Sequence, residues 1–222
     1  MALAGTGTLD RWPDNAGKPA KPGGPATDAS AHGGVSQLTS DEQLMLAHQQ
    51  GAADAFAELF ARYREPVFGF FRRRCGQEAR AEELAQDVFL AVLRGTEHWE
   101  PRARFRTWVY AIAMKMLWAE RRKAARESGA VPVEAAEAAN AGATAHPSGE
   151  TDAALAVRQA VARLDEADRE VLLLREYEQL RYDEIAVVLA VPVGTVRSRL
   201  FRARMALKEL LERKPGTTDE HG

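Results

Sequence analysis

Apolar side chains between residues 40 and 126 recur at intervals of three and four, with no stretch in which they alternate with polar ones. Phe56, Leu59, Phe60, Tyr63 and Val67 form one such stripe. Ala81, Leu84, Ala85, Val88, Phe89 and Val92 form a second, and Phe105, Trp108, Val109, Ile112 and Met116 a third. A helical period without a strand period predicts three or four amphipathic helices packed as a bundle. Ser40 and Gln43 have capping-box spacing ahead of Leu44 and Leu46, so order is expected to begin there. The same period returns with Ala154, Val157, Val161 and Leu164. Asp165 can cap a following helix whose first turn carries Glu166 and Asp168, the sign the helix dipole favours. Two shorter helical segments are then expected at 183–189 and 194–212, separated by Ala190-Val191-Pro192-Val193.

The stretches between these patterns divide the chain. Residues 1–36 contain eleven Gly or Pro and almost no large apolar residue, too little buriable surface to offset chain entropy, so a disordered extension is expected. Between Arg126 and Arg158 there is no Lys or Arg, while Glu127, Glu134, Glu137, Glu150 and Asp152 are acidic. The expected organisation is all-α: a helical bundle over 37–126, a flexible acidic linker over 127–152, a second helical domain over 153–214, and a short tail over 215–222. Cys75 is the only cysteine, which excludes an internal disulfide and a Cys-based metal site. His32, His48, His98, His146 and His221 never approach ligand spacing, and no metal or cofactor is expected. No apolar run reaches the roughly 18 residues of a membrane span, and the N-terminus lacks a basic region followed by an apolar one. A soluble intracellular chain with no membrane insertion is expected.

Net charge is only −2, so partners must be read from where the charges fall. In residues 182–204 a short helix with Ile185, Ala186 and Leu189 inward meets a tight connection, and a second helix starts at Gly194-Thr195. Val196, Leu200, Ala203 and Leu207 make its buried stripe, which is the spacing of a helix-turn-helix. Its other faces carry Arg197, Ser198, Arg199, Phe201, Arg202 and Arg204, and residues 197–214 hold seven basic against two acidic side chains. Arginine can grip phosphate or read guanine through a bidentate fork; a basic helix leaning on an acidic neighbour would show the same composition. Residues 94–126 hold nine basic and three acidic side chains, with Arg102, Arg104 and Arg106 interleaved among Trp99, Phe105, Trp108 and Tyr110. Cations beside aromatic faces suit unstacked single-stranded bases, although Phe105, Trp108 and Ile112 fit a core stripe. The helix AEELAQDVFL (81–90) sets Glu82, Glu83, Gln86, Asp87 and Leu90 on its outer side. An acidic face around an exposed leucine is either solvated or a dock for a basic partner.

Taken together these segments resemble an extracytoplasmic-function (ECF) sigma factor of bacterial RNA polymerase. AEELAQDVFL is similar to the family helix that binds the polymerase clamp, and FRTWVYAIA (105–113) to the start of the segment that opens and reads the minus-ten element. DREVLLLREYEQLRYDEIAVVLAVPVGTVRSRLFRARMAL (168–207) is similar to the region that binds the minus-thirty-five element. The resemblance covers residues 40–126 and 153–212. It implies a cytoplasmic, non-enzymatic initiation factor whose partners are core RNA polymerase, promoter DNA and an anti-sigma factor. It further implies that Glu82, Glu83, Gln86, Asp87 and Leu90 face polymerase. Trp99, Arg102, Arg104, Arg106, Lys115, Arg121 and Arg122 would serve the minus-ten element, the 99–104 loop capturing a flipped base. Thr195, Arg197, Ser198, Arg199, Phe201 and Arg202 would serve the minus-thirty-five element. The linker would thread a polymerase channel that nucleic acid later occupies.

Four positions depart from the family pattern. Lys115 stands where Asn is usual, Ala119 where Asp is common, Tyr182 at a usual Ser or Thr cap, and Ala190 at a usual Gly in the turn. Two rival readings remain on sequence grounds. A stand-alone helix-turn-helix regulator would explain 182–204 but neither the acidic 81–90 face nor the basic-aromatic segment. An enzyme would need convergent partners for the Glu82–Asp87 carboxylates, a phosphate loop or a nucleophile–base pair, and the sequence offers none.

Overall fold

Short side chains set the starts of three helices, two of them, at Ser40 and Asp165, where the sequence places caps. Ser40 Oγ accepts the Gln43 N–H at 3.2 Å while Gln43 Oε1 accepts the Ser40 N–H at 3.0 Å, closing the capping box. Asp165 Oδ1 accepts from the Ala167 and Asp168 amides, and Thr151 Oγ1 from Ala154. In the computed structural model, residues 40–128 and 151–212 are described; the expected N-terminal extension, most of the linker and the tail lie outside the described residues. The chain runs α1 (Asp41–Gln49), α2 (Ala53–Arg72), α3 (Glu78–Gly95), a 3-10 turn (Thr96–His98), α4 (Phe105–Ser128), α5 (Asp152–Ala162), α6 (Glu166–Glu176), α7 (Tyr182–Leu189) and α8 (Val193–Glu212). No described residue is in a strand.

In the first lobe, α2 packs against α1 and α3, and α3 against α4. The α3 stripe is buried residue for residue: Ala81, Leu84, Ala85, Val88, Phe89 and Val92. It meets Leu59, Val67, Phe70 and Phe71 of α2 in one apolar cluster. Phe60 departs from its stripe: it stays half-exposed, its ring edge-on to Phe89 with centroids 4.8 Å apart, capping the core from outside. Pro66 lies inside α2, where it removes one amide donor without ending the helix.

Helix α4 differs from its expected single stripe. Val109, Tyr110, Ala111, Ile112, Ala113 and Met114 are all buried. At 3.6 residues per turn, six consecutive residues cannot share a face. The helix is enclosed from two sides, by α3 on one and α7 of the second lobe on the other. All helices therefore belong to one compact unit.

The second lobe centres on α8, with α5, α6 and α7 packed against it. Val171, Leu174, Leu180, Ile185, Val188, Val196, Leu200 and Ala203 form its core. Val157 of the expected stripe is exposed, and α5 instead turns Ala160 inward, with Leu164 just after it. Helix α7 starts one residue earlier than a cap at Tyr182 would require. Arg181 is the N-cap, and the Glu184 carboxylate accepts its backbone N–H at 2.8 Å. A hydroxyl at 182 is thus unnecessary.

Between α7 and α8, Ala190 takes up the left-handed conformation that a glycine would adopt at less steric cost, with φ 54° and ψ 45°. Its amide donates to Val187 O at 3.2 Å and the next amide, Val191, to Ala186 O at 3.0 Å, satisfying the helix end. Because the Ala190 methyl is exposed, Ala190→Gly loses no packing. It should stabilise the protein by about 0.5–1 kcal/mol, the relieved strain being partly offset by the freer unfolded chain. Urea unfolding followed by circular dichroism checks this; an unchanged or lower midpoint would show that the turn carries no strain.

Candidate nucleic-acid interface

Helix α8 buries Val196, Leu200 and Ala203 and leaves Arg197, Ser198, Phe201, Arg202 and Arg204 exposed, with Thr195 and Arg199 half-buried. Phe201 is 67% exposed, far more than a packed aromatic. Ser198 Oγ donates to Thr195 O one turn back. Arg202 forms a bidentate fork on Asp168 of α6, at 2.9 and 2.7 Å, and Arg204 pairs with Glu176 at 2.9 Å. Two of the helix's arginines thus lean on acidic neighbours. Arg197, Ser198 and Phe201 project outward from a rigid apolar seat.

The loop before α4 is pinned at both ends. Gln49 Nε2 donates to Thr96 O at 2.7 Å and to Trp99 O at 2.8 Å, and the Phe105 amide donates to the Glu42 carboxylate at 3.0 Å. Gly95 lets the chain pass the Trp108 ring, which a Cβ there would meet at 3.0 Å. Trp99 itself is buried, its ring 6.5 Å from Phe105 and 6.4 Å from Trp108 between centroids. Apolar packing draws Trp99 into the core, where it shapes the loop. What the loop presents is Arg102, ion-paired with Glu100, and Arg104, whose Nε lies 3.6 Å from Glu184 of α7. Arg106 is half-buried, and Lys115 and Arg122 are exposed on α4. Arg121 is turned away from solvent onto Glu166 and Glu170 of α6. Tyr110, unassigned by sequence alone, is core; burial, then the nearby Glu178 carboxylate, raise its hydroxyl pKa and keep it protonated.

On α3, the side opposite the buried stripe exposes every expected residue: Glu82, Glu83, Gln86, Asp87 and Leu90. Glu83 accepts from Arg80 at 2.7 Å, and Arg80 also grips Glu120 of α4 at 2.6 and 2.8 Å, which holds that carboxylate below its usual range. Leu93 and Phe60 are half-exposed like Leu90. Sequence reading found only Leu90. Leu93 was visible one turn further along, whereas Phe60 was hidden by its place in a core stripe.

Comparison with known proteins names this arrangement. The family description "Sigma-70 region 2" matches residues 59–127, and "Sigma-70, region 4" matches residues 154–207. The RNA polymerase sigma-H factor of Pseudomonas aeruginosa is 32% identical over 78% of this chain and 94% of its own length. The ECF RNA polymerase sigma-E factor of Escherichia coli is 32% identical over 78% of this chain and 95% of its own. The sigma factor RpoE of Bartonella quintana, solved with the anti-sigma factor NepR, shares the fold at a TM-score of 0.58 and 22% identity, covering 72% of this chain and 98% of that one. The chain belongs to the ECF sigma factors. It is a transcription initiation factor and not an enzyme: it binds core RNA polymerase and directs promoter recognition. No described helix is long and apolar enough to cross a membrane.

Replacing Gln49 by Ala would leave two loop carbonyls without their donor. It should cost about 1–2 kcal/mol in urea unfolding and loosen the 96–104 loop. Unchanged stability would mean that water replaces the amide at no cost.

Proposed function

We propose that three faces of the chain divide the work of initiation. The exposed side of α3, with Glu82, Glu83, Gln86, Asp87 and Leu90, docks on polymerase. Arg102, Arg104, Arg106, Lys115, Arg121 and Arg122, around α4 and the loop before it, serve the minus-ten element, with Trp99 shaping that loop from beneath. Thr195, Arg197, Ser198, Arg199, Phe201 and Arg202 on α8 serve the minus-thirty-five element. The carrying observation is the outward projection of Arg197, Ser198 and Phe201 from a helix whose opposite stripe is buried. A helix edge protruding from a rigid seat is what entry into the major groove demands. Residues 37–126 and 153–214 are the two functional domains in this reading, and the acidic stretch between them is assigned to the polymerase channel on its charge alone. We place the factor in the cytoplasm with polymerase, under an anti-sigma partner.

Two experiments test the division. Arg202→Ala should cost about 1–3 kcal/mol and relax preference at one base position if the fork leaves Asp168 for guanine. If it holds phosphate, the loss should be uniform and the salt slope should fall by about one unit. A folded Arg197→Ala/Arg202→Ala protein whose holoenzyme transcribes a minus-thirty-five-dependent promoter at the unmutated level would sink the α8 assignment.

Separately, Glu83→Lys together with Asp87→Lys should weaken core binding by about tenfold or more, or ~1.4 kcal/mol, with helical content unchanged. Unaltered affinity in a titration with purified core would return that face to plain solvation.

A further inference from the structure

Two arginines of α8 pair with carboxylates of α6, and the two pairs are built differently. Arg204 reaches Glu176 through a single contact of 2.9 Å, with both side chains about half exposed. A solvated pair of that kind holds neither partner in one place. Arg202 instead sets two nitrogens on one carboxylate, Nε on Asp168 Oδ2 at 2.9 Å and Nη2 on Oδ1 at 2.7 Å. Asp168 is buried, and it lies in the first turn of α6, where the helix dipole favours its charge. Both ends of the fork are anchored in one core, through Val171 and Leu172 on α6 and through Leu200 and Ala203 on α8.

A guanidinium has two edges, each able to grip a pair of acceptors. The fork on Asp168 uses the side edge, Nε and the near N–H of Nη2. The end edge, Nη1 with the outer N–H of Nη2, makes no hydrogen bond among the described residues, and the Arg202 side chain is 58% exposed. An end edge of this kind matches guanine O6 and N7 in the major groove. We propose that Asp168 is a specificity-determining positioning residue, which holds Arg202 by its side edge so that the end edge meets one guanine of the minus-thirty-five element. The proposal rests on the assignment of α8 to that element. Guanine is then met without release of the fork, and a wrong base leaves the end edge unpaired. The carboxylate also offsets the charge with which a loose arginine would grip phosphate regardless of sequence. Asp168 thus lowers sequence-independent attraction and raises discrimination at one base pair.

The test uses holoenzyme assembled from the full chain and purified core. It is titrated, at several salt concentrations, with promoters carrying each base at each minus-thirty-five position. Asp168→Asn keeps the side-chain shape and removes the charge. Discrimination at one position should fall by about two- to tenfold, the equivalent of ordering one long side chain. Binding to promoters mismatched there should rise, and the salt slope should steepen by about one unit as Arg202 turns to phosphate. On an Arg202→Ala background the same change should alter neither quantity, because Asp168 acts through that arginine. A further change in preference on that background would make Asp168 a structural residue and overturn the proposal. Arg202→Lys, at an exposed position, guards against Asp168→Asn failing to fold: an ammonium has no second edge, so it should lose the preference as Arg202→Ala does. Preference kept by Arg202→Lys overturns the two-edged reading. Folded Asp168→Asn with unaltered preference, beside an Arg202→Ala that loses it, overturns the positioning role and leaves α8 assigned to the element. Arg202→Ala matching the unmutated holoenzyme at every position removes the assignment of Arg202 to DNA, and the positioning role with it.

Discussion

A carboxylate as deeply buried as Glu170 can remain ionised only where cations are brought to it, and much of this architecture follows from that requirement. Burial by itself would raise its pKa; Arg74 and Arg121 outweigh burial and hold it below the usual range. One cation arrives from the end of α2, the other from α4, and the carboxylate sits on α6. The two lobes can therefore be neighbours in only a narrow set of orientations. Geometry this demanding supplies orientation more than affinity, since the same charges are well solvated when apart.

Helix α4 is where that constraint meets function. It is the spine of the first lobe, yet it also lies against α7, so its middle residues are apolar all round. Its charged residues are segregated accordingly: Lys115 and Arg122 face solvent, Arg121 faces the second lobe, and Arg104 in the preceding loop reaches Glu184. The loop itself owes its shape to anchors rather than to its own sequence. Gln49 and Glu42 of α1 hold its ends, and Trp99 fills the space beneath it.

The second lobe solves a different problem, that of presenting a short, stiff, basic edge. The left-handed Ala190 closes α7, and the Val196–Leu200–Ala203 stripe seats α8. Asp168 and Glu176 of α6 gather Arg202 and Arg204 in the absence of DNA. On α3 a fully buried stripe leaves the opposite carboxylates around Leu90 exposed.

Periodicity and caps were local, and so they were legible. The α3 stripe, the Ser40 and Asp165 caps, the tight connection at 190–193 and the exposed acidic and basic faces all follow from the spacing of residues a few positions apart, because helix geometry links neighbours at three and four. Which side of a helix meets a second partner is not local. Only the tertiary structure buried Trp99 and Tyr110, left Phe60 and Val157 partly in solvent, and set Arg121 against Glu166 and Glu170. Residues 74 and 170, or 107 and 184, lie far apart along the chain, and no period connects them. Their meeting depends on how two lobes share the surface of α4, a matter of packing and desolvation that a linear pattern of charges does not encode.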